Sequence, residues 1–206
     1  TLGCPGIWSE KQTVEWKRIV DYIHRNSKSK IGIQLGHSGR KGSINVPSVG
    51  ANIPLAKSWE LISASAIPFA ETSATPREMT VTDMEKVIAE FVNATINADE
   101  AGFDMIELQA HHGFLLASFL SPLTNIRKDE FGGNIQNRIK FPLQVFQAMR
   151  EVFTENKPMS VRVSASDWAK NGITEEEIVF VCEAFKNAGA DIINVSTGNT
   201  VADQQP

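Results

Sequence analysis

The sequence predicts an α/β fold of parallel strands, a (β/α)8 TIM barrel of which this chain is the incomplete central portion. Helical and strand patterns alternate four times along the 206 residues, which implies parallel strands joined by right-handed crossovers. Each strand pairs an aliphatic face with a face that is polar near the carboxyl end. In a doubly wound sheet helices cover both faces, so aliphatic residues are expected on both. The inner face of a barrel, in contrast, can be polar at the carboxyl ends of the strands, where its active site lies.

The number of predicted strands sets the domain organisation. A closed barrel needs eight strands and about 250 residues, while this chain supplies about four βα units. The sequence therefore predicts that residues 1–206 are the central part of one barrel domain, truncated at both ends.

Four helices are predicted from apolar stripes at helical spacing. Capping-box pairs mark three of the starts, with a Ser or Thr followed three residues later by a Gln or Glu. Pro142 should delay or kink the start of the remaining helix. The predicted helices begin at Ser9 with Gln12, at Thr82 with Glu85, near Asn137, and at Thr174 with Glu177; they end near Asn26, Gly102, Phe153 and Gly189.

Four strands are predicted over residues 30–37, 104–109, 158–165 and 191–197, because aliphatic side chains alternate there with small or polar ones. The polar side chains share one face and cluster toward the carboxyl ends: Gln34, Glu107, Gln109, Arg162, Ser164, Asn194 and Ser196. Residues 38–79 form a connection much longer than an ordinary βα loop, as is typical of functional lids or walls.

The stretch 104–125 organises the candidate site. Gln109, His111 and His112 fall within four residues at the end of a strand, just before Gly113. Histidine is the side chain whose charge can change near neutral pH. The carboxyl end of this strand is therefore where chemistry is expected.

Composition narrows the function classes. The chain has 20 Lys and Arg against 24 Asp and Glu, a net charge of -4. This balance predicts no basic patch that would bind nucleic acid or an anionic membrane surface. A small-molecule partner is therefore expected. Cys4 and Cys182 stand far apart, which argues against disulfides and zinc, and no metal site is predicted. No apolar run approaches the ~20 residues of a membrane span. We expect a cytoplasmic protein, with a homo-oligomer left open.

Several motifs occur in order and cover nearly the whole chain, at residues 30–40, 75–79, 101–104, 112–113 and 121–138. The last of these, with Ser121-Pro122-Leu123-Thr124-Asn125 and Arg127, is the most specific. Together they resemble the old yellow enzyme family, the FMN-dependent NADH:flavin oxidoreductases. Residues 3–6 and 198–204 look most like the oxidoreductase half of salicylyl-CoA 5-hydroxylase-type bifunctional proteins.

The resemblance implies a flavin-binding barrel that uses FMN and takes hydride from NADH or NADPH. By position, Gln34 matches the glutamine that hydrogen-bonds the polar edge of the isoalloxazine. Arg162 matches the arginine beside N1 and the C2 carbonyl, where a fixed guanidinium would stabilise negative charge and raise the flavin potential. The alternative for Arg162 is an internal ion pair with Glu107 on the adjacent strand. The family's phosphate site lies after the seventh and eighth strands, outside this chain.

The catalytic motif departs from the family pattern. The family presents His-x-x-His or His-x-x-Asn after the fourth strand, and here Gln109 stands at the first position and His112 at the second. Glutamine can still donate through its amide but cannot carry a positive charge. A weaker alternative pairs His111 with His112; otherwise His111 is expected to face solvent or to be structural. Phe114 replaces the usual proton-donating tyrosine.

The resemblance implies hydride transfer from NAD(P)H through FMN to an α,β-unsaturated carbonyl or an activated aromatic, acyl-CoA-like acceptor. The alternative is a catalytically impaired flavin-binding or interaction module within a longer protein, favoured by Gln109 and Phe114. An aldolase-type barrel is disfavoured because no lysine ends a predicted strand. Arg127, Asp129 and Arg138 are expected to form structural ion pairs.

Overall fold

The core of the protein is a four-stranded parallel sheet, as predicted. The computed structural model describes residues 1–50 and 53–205. The strands are β1 (Gly32–Leu35), β4 (Met105–Ala110), β5 (Met159–Ser164) and β6 (Ile192–Ser196), hydrogen-bonded in the order β1-β4-β5-β6. Chain order and spatial order agree, as expected for successive right-handed βα units of a barrel.

One face of this sheet is apolar, and over the two central strands β4 and β5 it is covered by helices. Ile106 and Leu108 on β4, with Val161 and Val163 on β5, are completely buried. They belong to a core shared with buried side chains of helices α3 (Val81–Glu100) and α6 (Lys140–Val152). The period-2 alternation of the strands therefore delivers one aliphatic layer to the core and leaves the other face for polar groups.

The helices match the predicted pattern, with one cap corrected. Helix α1 (Glu10–Asn26) begins after the Ser9 capping box and α7 (Glu175–Asn187) after that of Thr174, as predicted. The predicted box at Thr82 and Glu85 is wrong: Thr80 caps α3 by accepting from the backbone N–H of Asp83, whose carboxylate bonds back to the Thr80 N–H. Aspartate at the third helical position closes the box as glutamate would, with a side chain that reaches the same N–H.

The segment after β4 contains a helix that the sequence pattern left unassigned. Helix α4 (Leu115–Leu120) is buried along its whole length, so it has no polar stripe to reveal its period. The predicted helix over residues 137–153 is two elements, α5 (Ile135–Arg138) and α6. Pro142 lies in the first turn of α6, where its missing N–H leaves no bond unmade.

The long connection after β1 is ordered by local structure and by a buried arginine. It contains a 3-10 turn (Gly39–Lys41), helix α2 (Pro47–Gly50) and a two-stranded parallel sheet of β2 (Ile62–Ser63) and β3 (Arg77–Glu78). Arg127 donates Nη1 to the carbonyls of Ala64 and Met79, at 3.0 and 2.7 Å, and pairs with Asp129. The predicted structural role of this pair is confirmed.

Arg138 is also structural, as predicted. Its guanidinium is buried, pairs with Glu177 on α7 and donates to the carbonyl of Leu120 at 2.6 Å. It thereby ties α4 and α5 to the amino end of α7. Among the residues described, no helix is long and apolar enough to cross a membrane.

Candidate functional site

The polar faces of the four strands form one continuous surface. Parallel register places Gln34 beside Glu107, and Glu107 beside Ser160. One step toward the carboxyl ends, Gln109 neighbours Arg162. Register partners in a parallel sheet point to the same side, so the residues predicted to contact a cofactor share a face with Gln109.

Glu107 lies at the centre of this face and collects three hydrogen bonds. Its carboxylate accepts from Gln34 Nε2 at 2.7 Å, from Ser160 Oγ at 2.9 Å and from Asn194 Nδ2 at 2.9 Å. Burial would raise the pKa of Glu107, but these donors outweigh it and the pKa lies below its usual value. An ionised carboxylate only accepts hydrogen bonds, so Glu107 fixes which end of each neighbouring amide faces it.

Gln34 passes this orientation on to Gln109. Because the Gln34 amide nitrogen faces Glu107, its carbonyl oxygen is free to accept, and Gln109 Nε2 donates to it at 3.1 Å. Gly36, which directly follows β1, makes room for the Gln109 side chain: a Cβ at Gly36 would lie 2.4 Å from Gln109 Oε1. Glu107, Gln34 and Gln109 thus form a hydrogen-bonded chain of fixed direction, which we call the carboxylate–amide chain.

Arg162 has no carboxylate partner in the described part of the protein. Its one side-chain hydrogen bond is a long one, from Nη2 to Ser196 Oγ at 3.4 Å, and its Nε is buried without a partner. The alternative ion pair with Glu107 is not formed. Arg162 therefore has guanidinium N–H donors on the polar face that make no hydrogen bond within the described residues.

His112 occupies a constrained position at the rim of the same face. Its φ of 54° is in the left-handed region, and its backbone N–H donates to Ser164 Oγ at 2.9 Å. Its Nε2 lies 2.5 Å from Ser196 Oγ, the hydroxyl that Arg162 also contacts. Burial, followed by the charges of Arg162 and Lys41, lowers the pKa of His112, so the imidazole is neutral near neutral pH.

Of the two alternatives expected for His111, the solvent-facing one is wrong, and the burial of the residue agrees with the structural one. The side chain is 3% exposed, its Nδ1 is buried without a partner, and its ring lies 4.1 Å from that of His112. Burial, helped by the charges of His112 and Arg162, lowers the pKa of His111 to about 4. The turn into α4 encloses this side chain, which local sequence could not show.

Lys41 is a site residue that the sequence analysis missed. Its Nζ donates to the carbonyl oxygens of His112 and Asn199 at 2.9 and 3.0 Å, and lies 5.1 Å from the ring centroid of Phe114. Burial, then the nearby charge of Arg40, lowers the pKa of Lys41 to about 8. Its position after the predicted end of the first strand was the available signal, because loops at that end line a barrel's mouth.

The four predicted site residues thus lie together, in two linked pairs. Gln34 and Gln109 are directly hydrogen-bonded, while Arg162 and His112 both contact Ser196. Within the described residues no group of three or more His, Cys, Asp or Glu could hold a metal ion. An arginine without a carboxylate beside oriented amides suits a neutral or anionic planar group better than a cation.

Successive βα units with a polar face toward the carboxyl ends of the strands are the architecture of a (β/α)8 barrel, which has its functional site at that end. The chain belongs to the NADH:flavin oxidoreductase / NADH oxidase family, whose model matches residues 1–206. This is the old yellow enzyme family that the motifs resemble; the narrower resemblance to salicylyl-CoA 5-hydroxylase-type proteins stays a prediction.

The names of similar proteins are consistent with this family. The chain is 40% identical over 196 residues to an NADPH dehydrogenase of Geobacillus sp. (strain WCH70), and 41% identical over 196 residues to one of Listeria monocytogenes serotype 4a (strain HCC23). Each match covers 95% of this chain and 53% of the relative. The chain therefore spans about half the length of these relatives.

Solved structures show the same architecture. A 2-naphthoyl-CoA reductase in complex with 2-naphthoyl-CoA matches with a TM-score of 0.79 and 26% identity, covering 94% of this chain and 30% of the other. Morphinone reductase matches with a TM-score of 0.75 and 26% identity, covering 93% of this chain and 53% of the other. The incomplete-barrel interpretation agrees with these partial overlaps.

Proposed function

We propose that the protein containing this chain is an FMN-dependent oxidoreductase that takes hydride from NADH or NADPH. Its acceptor would be an α,β-unsaturated carbonyl or an activated aromatic acyl thioester. The family match and the NADPH dehydrogenase relatives support the donor half of this proposal. The similarity to a reductase in complex with 2-naphthoyl-CoA supports an aromatic acyl-CoA among the candidate acceptors.

The observation that carries the proposal is the unpaired guanidinium of Arg162. A partly buried arginine normally has a carboxylate partner, yet Arg162 has one long hydrogen bond and an orphaned Nε. Beside it, Gln34 keeps one N–H and one carbonyl lone pair beyond its bonds to Glu107 and Gln109. These groups fit the polar edge of a flavin, which offers both acceptors and an N–H donor.

Each residue has a physical task in this proposal. When bound, FMN supplies hydride transfer between nicotinamide and acceptor. Arg162 would hold the pyrimidine edge and stabilise negative charge there, while Gln34, aligned by Glu107, would fix its orientation. His112, neutral and anchored to the loop by Lys41, would contact the acceptor.

The test is made on the purified full-length protein. We expect a yellow protein that releases FMN on denaturation and whose absorbance near 450 nm bleaches anaerobically with NADH or NADPH, at roughly one flavin per polypeptide. A protein that neither purifies with FMN nor binds added FMN would refute the proposal. Comparing the two nicotinamide nucleotides at equal concentration identifies the preferred donor.

A second candidate function is a flavin-binding module with impaired catalysis. Two observations favour it: the nitrogen of Gln109 is engaged by Gln34, and the Nε2 of His112 is engaged by Ser196. Such a module would bind FMN and bleach slowly or not at all with nicotinamide nucleotides. The bleaching experiment therefore separates the two functions, because a fast anaerobic bleach contradicts the impaired module.

We also propose a single barrel domain, a cytoplasmic location and a small-molecule partner without nucleic acid. The charge balance of 20 basic and 24 acidic residues supports the last of these. Self-association is measured directly by sedimentation of the full-length protein.

A further inference from the structure

Glu107 is a carboxylate on the polar face that is held by uncharged donors alone. Its three hydrogen bonds come from the side chains of Gln34, Ser160 and Asn194. Within the described residues, Glu107 takes part in no ion pair. Burial would raise its pKa, but the three donors, helped by the charge of Arg162, lower it below its usual value. The carboxylate is therefore ionised near neutral pH.

Arg162 lies near this carboxylate without pairing with it. The register places Glu107 beside Ser160, and Arg162 lies two residues farther along β5. With about 3.3 Å per residue and about 4.8 Å between strands, the two Cα atoms are about 8 Å apart. The guanidinium instead makes its one hydrogen bond to Ser196. The polar face thus carries one negative and one positive charge that are not in direct contact.

The kind of donor around Glu107 determines how far its charge acts. An arginine or lysine partner would cancel the negative charge for any group farther away. Neutral amides and a hydroxyl stabilise the ionised form but leave the net charge at -1. Because Gln34 donates directly to the carboxylate, this charge lies immediately behind the side chain that we propose to hold the flavin edge.

Hydride transfer changes the charge of the flavin ring. A hydride carries two electrons and one proton from NAD(P)H, so the nicotinamide becomes a cation and the neutral oxidised ring becomes an anion. A nearby positive charge stabilises this anion and a nearby negative charge destabilises it. The charges of Arg162 and Glu107 therefore act on the reduction potential with opposite sign.

We propose that Glu107 is a positioning residue that sets the flavin potential: its negative charge, one hydrogen bond behind Gln34, opposes that of Arg162 and makes the reduced flavin a stronger hydride donor. The proposal rests on the proposed function, because it concerns the flavin bound at that site. Glu107 has this effect without touching the cofactor, through its charge and through its bond to Gln34.

The test is the two-electron potential of the bound flavin, measured on the full-length holoenzyme at neutral pH against a dye of known potential. Glu107→Gln removes the charge, keeps the shape and retains an oxygen that can accept from Ser160 and Asn194. We expect the equilibrium between oxidised and reduced flavin to move about tenfold toward the reduced form, the order expected for unit charges in a partly buried site. A tenfold change is about 30 mV for a two-electron couple.

Three further variants isolate the charge as the cause. Glu107→Asp keeps the charge on a shorter side chain, so its potential should shift by less than half as much. Glu183→Gln removes the same charge at an exposed position of α7, where water and salt screen it, and its potential should match that of wild type. Glu107→Gln combined with Arg162→Leu removes both charges, so its potential should lie between those of the two single variants.

The outcomes separate this inference from the proposed function. FMN content and bleaching with nicotinamide nucleotides are measured first, and absence of FMN overturns the proposed function itself. A yellow protein that bleaches, but whose potential is unchanged or lower in Glu107→Gln, overturns the inference alone. If Glu107→Gln does not fold, Glu107→Asp still decides: a shift of about tenfold or more toward reduced flavin despite the retained charge overturns the inference, and a potential close to that of wild type supports it.

Discussion

Replacing Arg162 by leucine should separate folding stability from flavin binding. Within the described residues the guanidinium makes one 3.4 Å hydrogen bond and buries an Nε that has no partner. A long hydrogen bond contributes little, and an unsatisfied buried donor costs about 1–3 kcal/mol. The free energy of unfolding of the flavin-free, full-length protein should therefore stay within about 1 kcal/mol of wild type, or rise.

The same substitution should have a large effect on the cofactor. A hydrogen bond to a charged group contributes about 1.5–3 kcal/mol, so the dissociation constant of FMN should increase by about 10- to 100-fold. Loss of one positive charge beside the reduced flavin should lower its two-electron potential by tens of millivolts, on the order of 30 mV for each ~1.4 kcal/mol. Arg162→Lys should retain part of the FMN affinity and part of the flavin potential, because lysine keeps the positive charge but lacks the planar set of donors of a guanidinium.

The assays are urea unfolding of the flavin-free protein, fluorescence titration with FMN, and reduction against a dye of known potential. Arg138→Leu serves as the contrasting control. That arginine is buried, paired with Glu177 and bonded to a backbone carbonyl, so removing it should cost about 3–5 kcal/mol without a direct effect on the flavin potential. If Arg162→Leu instead loses a similar amount of stability and binds FMN as wild type does, Arg162 is structural and the reasoning fails.

Three further outcomes are expected. Phe114→Tyr should speed the reduction of cyclohexenone by up to about 10²-fold if the new hydroxyl acts as general acid. Flavin reduction by NADPH, followed in the same stopped-flow experiments, should stay nearly unchanged. If wild type and Phe114→Tyr reduce cyclohexenone at equal rates, another group supplies the proton in wild type. Thr80→Ala should lower the free energy of unfolding by about 1 kcal/mol and Thr82→Ala by less than about 0.5 kcal/mol; the reverse order in urea melts would contradict the cap found at Thr80. The pKa of His111 is about 4 in the folded state and about 6.5 in the unfolded state. The stabilisation that depends on neutral His111 is therefore fully present above about pH 6.5 and is lost as the pH falls toward 4. This loss lowers the free energy of unfolding by at most about 3 kcal/mol. His111→Phe should therefore flatten the acid limb of stability between about pH 6.5 and 4, and an unchanged limb in that variant would show that His111 titrates normally.

The sequence by itself determined the elements and the side of the sheet on which the site lies. Strand and helix periods are local properties, so the four strands and the α1, α3 and α7 helices were predictable to within a few residues. The alternation in β4 and β5 also placed Gln109 and Arg162 on one face, because successive side chains of a strand point to opposite sides. Helix α4 was not predicted, because a completely buried helix lacks the polar stripe that marks a helical period in the sequence.

Only the tertiary structure decided which polar groups are partners. Glu107 could have paired with Arg162, but register between strands gives its carboxylate to Gln34, 73 residues away, and to Asn194, 87 residues away. Lys41 likewise reaches the His112 and Asn199 carbonyls, across 71 and 158 residues. Hydrogen bonds form only within about 3.5 Å. Partner choice is therefore fixed by how distant segments pack, a property that no local pattern of residues records.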